Sequence, residues 1–371
     1  MKIINENYPD LQAPKELSEY ADLSRCLFFD IETTGLNKVT TSLYLVGCGF
    51  YESGCLNTRF YFADSPDEEL NVLKAFFDFT RGFDFVIHFN GTKFDLPYLD
   101  YKASKYKIEN PLNSIESIDI YKLIKPLRPL LFQESMRQKC VEDFLGILRQ
   151  DKYNGGELIE VYFEYVKYKS NECFSLLMLH NREDVLGMHK IIPILNYLKL
   201  KDCNLSYTGH SINEYEDFEG KNKKEILINY SFDVKIPKSF SVSNNGIYFK
   251  FDAVASALTV RMPLTEGVMR HYYENYRDYF YLTEEKKCVH KSIVQSLSKS
   301  LKQKATKENC FSEIEGIFLR QYDVIFENTC GNDYKTRNSY FLLPDGFDED
   351  KINRYGRSLM NLLYKKNKKA R

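Results

Sequence analysis

The spacing of hydrophobic and polar residues changes along the chain, and the changes predict its elements. Short apolar and aromatic runs separated by turn residues predict strands, whereas apolar residues three and four apart predict helices. In the first half, the predicted strands lie at about residues 25–32, 41–51, 57–63, 84–90 and 117–121. The predicted helices lie at about residues 66–77, 95–105, 141–146, 157–168 and 171–198.

This order of elements is that of an α/β sandwich. The three consecutive strands predict antiparallel neighbours, and we expect helices on both faces of a mixed five-stranded sheet. The predicted domain covers residues 21–199. Residues 1–20 are polar and predict an irregular N-terminal arm.

The second half predicts a smaller α+β domain over residues 225–371. It contains a hairpin signal, the dipeptide Asn245-Gly246 between two apolar alternating runs. Residues 200–224 carry an acidic cluster followed by lysines, which is typical of solvated loops and predicts a linker. The predicted elements are strands at about 226–232, 240–251 and 257–264, and helices at about 284–301 and 351–364.

Charge is distributed unevenly between the two halves. Residues 1–200 carry 23 Lys and Arg against 29 Asp and Glu, whereas residues 201–371 carry 28 against 23. The basic second half and its tail, 365–371, fit a domain that binds phosphate groups. Arginine and tyrosine residues mixed over 261–279 suit stacking on single strands, and they suit a protein partner equally well.

Composition excludes several classes of protein. With 43% hydrophobic and 28% charged residues, the chain is not expected to be disordered. The N-terminus has no apolar signal region and no stretch reaches 18 apolar residues, so we expect neither secretion nor membrane insertion. Nine scattered cysteines without a Cys-x-x-Cys pair exclude a zinc ribbon and predict free thiols in a reducing cytoplasm.

Asp30 and Glu32 are the first candidates for chemistry. They are two residues apart on a predicted strand, so both carboxylates point to the same face. Two anions this close favour a cation between them, and hard divalent ions such as Mg²⁺ prefer oxygen ligands. The following turn, residues 33–35, lets the backbone approach a phosphate or sugar. A strand that ends in two solvated acids is the alternative interpretation.

Two further positions carry acidic groups. Asp95 opens a predicted helix, where the helix dipole favours an acid in any case. His180 and Asp184 are four residues apart on the long predicted helix and share its apolar, inward face. Because a buried charge without a partner is costly, this pair needs either a ligand or an ion-pair partner.

Together these elements resemble the DEDD 3′–5′ exonucleases of the RNase H-like fold. Phe29-Asp-Ile-Glu-Thr-Thr-Gly-Leu36 looks like their first motif, Asn90-x-x-x-Phe94-Asp95 resembles the second, and His180-x-x-x-Asp184 takes the place of the third. Residues 141–149 and 181–185 are most similar to the bacterial YprB-like group of predicted exonucleases. The resemblance implies an RNase H-like three-layer α/β/α sandwich for the first domain.

The resemblance, which covers about residues 20–196, implies a metal-dependent 3′–5′ exonuclease that hydrolyses DNA or RNA by a two-metal-ion mechanism. It implies Mg²⁺ or Mn²⁺ as the cofactor and nucleic acid as the partner, with single strands or 3′ ends favoured. The implied metal ligands are Asp30, Glu32, Asp95 and Asp184. The implied nucleotide contacts are Thr33, Thr34, Gly35, Leu36, Asn90 and Phe94.

His180 departs from the patterns of the superfamily. One branch has a Tyr four residues before the last Asp, and another has a His five residues before it. His180 therefore places the His of one branch at the spacing of the other. Because one helical step turns a side chain by about 100°, we expect His180 to point toward the metals and to act as a general base. The alternative is that it orients a water or packs.

Several alternatives stay open. Asp119 is a rival fourth carboxylate, although a strand-end acid is the simpler interpretation. Arg182 and Glu183 are interpreted as surface charges, and we expect no role for His189. The second functional hypothesis is a catalytically silent RNase H-like nucleic-acid-binding or scaffold protein, and the third is a structure-selective endonuclease on the same fold. The presence of all four carboxylates favours the exonuclease.

Overall fold

The chain forms two compact units, Met1–Leu200 and Lys201–Arg371, in the computed structural model of the protein. The predicted basic tail, 365–371, lies outside the described residues. Within the described part of the chain, no helix combines the length and the apolar character needed to cross a bilayer. The structure describes residues 1–131, 135–294 and 301–364.

The first unit is built on a mixed sheet of six strands in the order β1-β4-β3-β2-β5-β6. Neighbours from β1 to β2 are antiparallel, whereas β2, β5 and β6 run parallel. The strands are Lys2–Gln12 (β1), Cys26–Thr33 (β2), Leu43–Glu52 (β3), Cys55–Phe62 (β4), Phe85–His88 (β5) and Glu116–Asp119 (β6). The α-helices are Glu69–Thr80 (α1), Asp95–Tyr106 (α2), Ile120–Ile124 (α3), Arg128–Leu131 (α4), Gln138–Leu145 (α5), Gly155–Tyr168 (α6), Asn171–Ile191 (α7) and Asn196–Lys199 (α8).

Alternate residues of β2 face two different helices, which makes the first unit a layered α/β structure. Phe29 packs on Phe76 of α1, with ring centroids 5.6 Å apart. On the other face of the sheet, α7 lies so close to β3 that a Cβ added to Gly49 would lie 2.9 Å from Val185. Asp30 and Glu32 lie on this second face, as their two-residue spacing predicts.

The N-terminal arm predicted over residues 1–20 is wrong for its first part. Residues 2–12 form β1, the edge strand, which pairs antiparallel with β4 and raises the predicted five strands to six. Arg182 of α7 anchors this strand through an ion pair with Glu6. An edge strand needs only one apolar face, so the polar sequence of residues 2–12 did not indicate a strand.

The second unit contains three antiparallel sheets and one long helix among its described residues. The sheets have the orders β7-β8-β11-β10-β9, β12-β16-β18-β17 and β14-β13-β15. Its elements are Leu205–Glu216 (β7), Asn222–Phe232 (β8), Phe240–Asn244 (β9), Ile247–Asp252 (β10), Ala257–Pro263 (β11), Thr265–Tyr272 (β12), Tyr279–Leu282 (β13), Lys287–His290 (β14), Lys302–Lys304 (β15), Phe311–Arg320 (β16), Thr329–Cys330 (β17), Tyr340–Leu342 (β18) and Glu349–Tyr364 (α9).

Two predictions for the second half are wrong. The linker predicted over 200–224 belongs mostly to the β7–β8 hairpin, in which Glu214 pairs across the strands with Lys224 and their charged groups lie 3.4 Å apart. The helix predicted over 284–301 is replaced by β14 in its first part, while residues 295–300 lie outside the described residues. Acidic and basic residues that pair across two strands look like a solvated loop when the pairing of the strands is not known.

Candidate metal and catalytic site

Asp30 and Glu32 end β2 on the face that α7 covers. A register shift between Glu32 and Thr33 bends the strand at this point. Glu32 is 8% exposed, and Asn181 of α7 donates a hydrogen bond from Nδ2 to Asp30 Oδ2 at 2.8 Å. The close contact depends on Gly47, because a Cβ there would lie 2.0 Å from Asn181 Oδ1.

Asp95 begins α2 after a tight turn. Asn90 has φ +63° in this turn, and a Cβ on Gly91 would lie 2.6 Å from Asp95 Oδ2, so the carboxylate rests against a glycine. Asp119 holds the turn: it accepts hydrogen bonds from the Asn90 backbone N–H at 2.9 Å and from the Thr92 hydroxyl at 2.8 Å. These contacts give Asp119 a structural role at the edge of the site.

His180, Asp184 and Glu32 meet in one cluster. His180 Nε2 lies 3.3 Å from Asp184 Oδ2 and 3.6 Å from Glu32 Oε1. One ligand atom from each of the three residues fits within 4.8 Å of the other two, the spacing of a metal site. His180 and Asp184, four residues apart on α7, therefore lie side by side next to Glu32 of β2.

Asp151 is a site residue that the sequence did not reveal. Its Oδ2 lies 2.7 Å from His180 Nδ1, and its side chain is 1% exposed. Lys139 donates a hydrogen bond to the same oxygen at 3.0 Å. Glu183 accepts hydrogen bonds from the backbone N–H groups of Gln150 and Asp151, both at 2.9 Å, so its interpretation as a surface charge is wrong.

Arg149 is the second residue that the sequence did not reveal. Its Nη1 lies 2.7 Å from Asp184 Oδ1, and Nη2 donates to Glu142 Oε1 at 2.7 Å. Gln138 completes this contact by donating from Nε2 to the Asp184 carbonyl at 2.8 Å. A Cβ on Gly187 would lie 2.0 Å from Glu142 Oε1, so α5 and α7 can approach only because that position is glycine.

The electrostatics of the site follow from clustered negative charge. Burial raises the pKa of Glu32 and of Asp95, each to about 7. Burial and the charges of Asp184 and Glu32 raise the pKa of Asp30 well above its usual range. For His180 burial acts in the opposite direction, but the charges of Glu32, Asp184 and Asp151 outweigh it and raise its pKa.

The donor set suits a divalent cation. In the cluster, Glu32 and Asp184 supply carboxylate oxygens, the ligands that Mg²⁺ and Mn²⁺ prefer, and the imidazole of His180 lies beside them. The raised carboxyl pKa values mark negative charge that the surrounding protein leaves partly uncompensated. A bound cation would provide that compensation.

The loop after β2 forms the rim of the site. The Thr33 hydroxyl donates to the Gly35 carbonyl at 2.8 Å, and the Thr34 hydroxyl accepts from the Ser42 backbone N–H at 2.8 Å. Gly35 has φ +150°, and a Cβ there would lie 2.9 Å from Thr41 Cγ2. The turn therefore requires glycine, and it projects Leu36, which is 86% exposed.

The aromatic residues near α2 differ in exposure. Phe94 is partly exposed beside the site, with its ring centroid 5.5 Å from that of Tyr98. Tyr98 is buried and shares a hydrogen bond of 3.0 Å with the Thr41 hydroxyl. Tyr98 therefore contacts the rim loop through Thr41, whereas Phe94 packs against the core and keeps part of its surface exposed.

Behind the rim lies a buried ion pair. Lys102 and Glu69 are 0% and 1% exposed, and their charged atoms lie 2.7 Å apart. Lys102 also donates to the Thr41 carbonyl, and Glu69 accepts from the Leu43 backbone N–H at 2.8 Å. This pair joins α1 and α2 to the start of β3 and fixes the loop that carries Gly35.

Comparison with a sequence model of a known superfamily supports the fold of the first unit. The sequence model of the RNase H superfamily matches residues 27–196. The fold is the RNase H-like α/β fold that the motifs predicted, with six strands in the sheet instead of five. No curated protein matches the chain.

Three solved structures that match the chain are distant from it. A family B DNA polymerase from the archaeon Pyrobaculum calidifontis matches with 17% identity and a TM-score of 0.38, over 47% of this chain and 26% of the polymerase. The zinc-bound complex of E. coli ExoI with single-stranded DNA matches with 10% identity and a TM-score of 0.28, over 91% of this chain and 69% of ExoI. Exonuclease I from Methylocaldum szegediense matches with 9% identity and a TM-score of 0.28, over 91% and 69%.

Proposed function

We propose that this chain is a metal-dependent 3′–5′ exonuclease that hydrolyses phosphodiester bonds of DNA or RNA. The observation that carries the proposal is the cluster of Glu32 on β2 with His180 and Asp184 on α7. The charges of Asp30 and Asp95 interact with this cluster, and burial raises the pKa of both carboxyl groups. Such a cluster destabilises a folded protein, so it is expected where a cation and a reaction need it.

Asp30, Glu32, Asp95 and Asp184 are the proposed metal ligands. Bound Mg²⁺ or Mn²⁺ ions, two in the proposed mechanism, would activate a water and neutralise the charge that develops on the phosphate. The cut would release mononucleotides with a 5′-phosphate.

His180 is the proposed general base. The carboxylate of Asp151, 2.7 Å from Nδ1, favours the proton on that nitrogen and leaves Nε2 to exchange a proton with the attacking water. Asp151 is therefore a positioning residue that acts through His180. Arg149 is a second positioning residue. Its ion pair fixes Oδ1 of Asp184, and Oδ2 remains on the side of His180.

The rim loop is the proposed contact for the terminal nucleotide. Thr33, Thr34 and Gly35 offer backbone and hydroxyl groups beside the carboxylates, and the exposed side chain of Leu36 can insert between bases. Asn90 and Phe94 lie on the α2 side of the site, where a partly exposed ring suits base stacking.

One observation favours the second hypothesis, a catalytically silent binding protein. The guanidinium of Arg149 already neutralises part of Asp184, at 2.7 Å, and so reduces the charge left for a cation. In a silent protein this internal cation would replace a metal ion. Metal binding and cleavage must therefore be measured separately.

Cleavage is tested with 5′-labelled single-stranded DNA and RNA in the presence of Mg²⁺ or Mn²⁺. We expect a ladder that shortens from the 3′ end, abolished by Asp30→Ala and unchanged by Asp78→Ala, a matched change at an exposed carboxylate. Internal cuts in a circular substrate would favour the endonuclease. Binding without cleavage in either metal would contradict the proposal.

Metal binding is tested by electron paramagnetic resonance of Mn²⁺ without nucleic acid. We expect saturable binding by the parent and by Asp78→Ala, and weakened binding by Asp30→Ala. Arg149→Met should strengthen Mn²⁺ binding, because it removes the cation that competes for Asp184. Absence of saturable binding by the parent would favour the silent protein.

A further inference from the structure

A large cleft lies wholly within the second unit, and the carboxylate site has no part in it. Its volume is about 740 Å³, within the usual range of ligand sites. The end of β12 and the turn that follows it form one wall, with Lys307 beside them, and the segments on both sides of β17 form the other. Tyrosines, asparagines and two cationic side chains line it, in a polar and aromatic mixture.

Two tyrosine rings in this cleft are already held in place. Tyr273 stacks on Tyr279, with centroids 4.7 Å apart and planes 15° apart, and it remains partly exposed in the cleft. Tyr334 lies below the guanidinium of Arg337 at 4.3 Å and meets the ring of Tyr272 edge-on at 5.5 Å. A ring fixed by its neighbours loses little conformational entropy when a planar ligand stacks on it.

Polar groups for the edges of a planar ligand stand beside these rings. His271 Nδ1 contacts the Thr329 carbonyl at 2.9 Å, which assigns the proton to Nδ1 and leaves Nε2 as an acceptor. Asn338 accepts from the Thr329 hydroxyl at 3.0 Å through Oδ1, so its amide NH₂ remains a donor. Asn275 and Asn328 add exposed amides. Nucleobase edges present this combination of donors and acceptors.

The charges of the cleft favour few phosphate contacts. Lys307 and Arg337 face Glu274 and Glu327 in the lining, and Glu327 is paired with Lys351 at 3.3 Å. Two cations against two carboxylates do not make an electrostatic track for a long polyanion. Stacking and hydrogen bonds to base edges would therefore supply most of the affinity, as in the recognition of unstacked bases in single-stranded RNA.

We propose that this cleft binds one or two bases of a single-stranded nucleic acid, with Tyr273 and Tyr334 as stacking platforms and Arg337 and Lys307 as contacts to the adjoining phosphates. The inference rests on the proposed function and extends it, since it assigns a second binding site for the substrate strand. If the first unit were catalytically silent, the cleft could still bind the bases of a single strand, because this binding needs no cleavage.

The test is fluorescence anisotropy of a labelled 15-nucleotide oligothymidine with the full chain carrying Asp30→Ala, in EDTA. This background cannot cleave by the proposed mechanism, so a failure of binding is separate from a failure of catalysis. We expect Tyr273→Ala to weaken binding about 5- to 150-fold, the usual effect of one lost base stack. Tyr273→Phe should bind within about twofold of the parent, because the ring is kept.

Tyr248 provides the matched control. It is a tyrosine of the same unit that lies under another arginine, Arg261 at 5.0 Å, outside the cleft. We expect Tyr248→Ala to leave the affinity within about twofold. Equal affinity of Tyr273→Ala and the parent would overturn the proposal, as would absence of oligonucleotide binding, the result expected for a protein-binding cleft.

Salt dependence gives a second measurement. Two phosphate contacts predict that log K falls against log salt with a slope of about −1.4. Arg337→Ala should reduce the slope by about 0.7. A slope steeper than about −4 in the parent, unchanged by Arg337→Ala, would assign binding to a different, strongly basic surface and overturn the proposal.

Discussion

Asp151→Asn isolates the role of a charge that acts through His180. Asparagine keeps the shape of the side chain and its acceptor oxygen, so the hydrogen bond from His180 Nδ1, 2.7 Å in the structure, can persist. The substitution removes the negative charge of a buried carboxylate whose Oδ2 lies 3.0 Å from Lys139 Nζ and 2.7 Å from His180 Nδ1. We therefore expect a folded protein with a slower chemical step.

The size of the effect follows from the hydrogen bond. A hydrogen bond to a charged group contributes about 1.5–3 kcal/mol, and every 1.36 kcal/mol corresponds to tenfold in rate. If most of this stabilisation is gained as His180 accepts a proton, kcat should fall about 10- to 150-fold. KM should change little, because Asp151 is buried and would not contact the substrate.

The pH dependence of kcat tests the direction in which the charge of Asp151 shifts the pKa of His180. The charge of Asp151 helps to raise the pKa of His180, so Asp151→Asn should lower that pKa and move the acidic limb of the kcat profile to lower pH. Lys139→Met is the matched control with the opposite sign. It removes the cation 3.0 Å from Asp151 Oδ2 and should move the limb to higher pH.

The assay is single-turnover cleavage of a 5′-labelled oligonucleotide at pH 5 to 9, with melting temperatures as a check on folding. Unchanged kcat in Asp151→Asn would refute the role of Asp151. Shifts of the acidic limb in the same direction for both variants would refute the electrostatic reasoning, even if kcat falls.

Three further predictions concern stability and packing. Gly47→Ala should lower the stability by about 1–3 kcal/mol in urea unfolding, through overpacking against Asn181 and Val185, and less in an Asn181→Ala background, where only the approach to Val185 Cγ2 at 2.9 Å remains. Lys102→Met should cost about 3–5 kcal/mol by leaving Glu69 buried without its nearest cation, and adding Glu69→Gln should recover much of the loss. Burial lowers the pKa of His189 to about 4, so the unfolded chain binds more protons between pH 6.5 and 4 and stability should fall as the pH falls. His189→Phe should reduce the pH dependence of urea stability across this window, while His88, whose pKa burial also lowers to about 4, continues to contribute; an unchanged slope would contradict the assignment.

The sequence predicted those parts of the fold in which local pattern and tertiary contact agree. The apolar run before Asp30 forms a central strand, and the two-residue spacing places Asp30 and Glu32 on one face. Asn245-Gly246 forms the predicted hairpin turn, with both φ angles positive. In each case a single short segment contains the whole signal.

The parts that were missed depend on a distant partner. The sequence of β1 is polar, and only its pairing with β4 identifies it as a strand. Glu214 resembles a loop residue as long as its cross-strand neighbour, Lys224, is not known. Asp151 lies in a segment without helical or strand periodicity, 29 residues before His180. Its position is set by Glu183 through backbone hydrogen bonds, and no local spacing encodes that contact.

The chain length between β2 and α7 has a consequence for synthesis of the protein. A ribosome completes Asp30 and Glu32 about 150 residues before it adds His180 and Asp184. The central strands can pair while their carboxylates still face water, and the repulsion between Asp30 and Asp184 arises only when α7 docks. A chain released before that helix is made holds three of the four acids, Asp30, Glu32 and Asp95, and lacks both Asp184 and His180. Under the proposed mechanism, incomplete translation products should therefore lack cleavage activity.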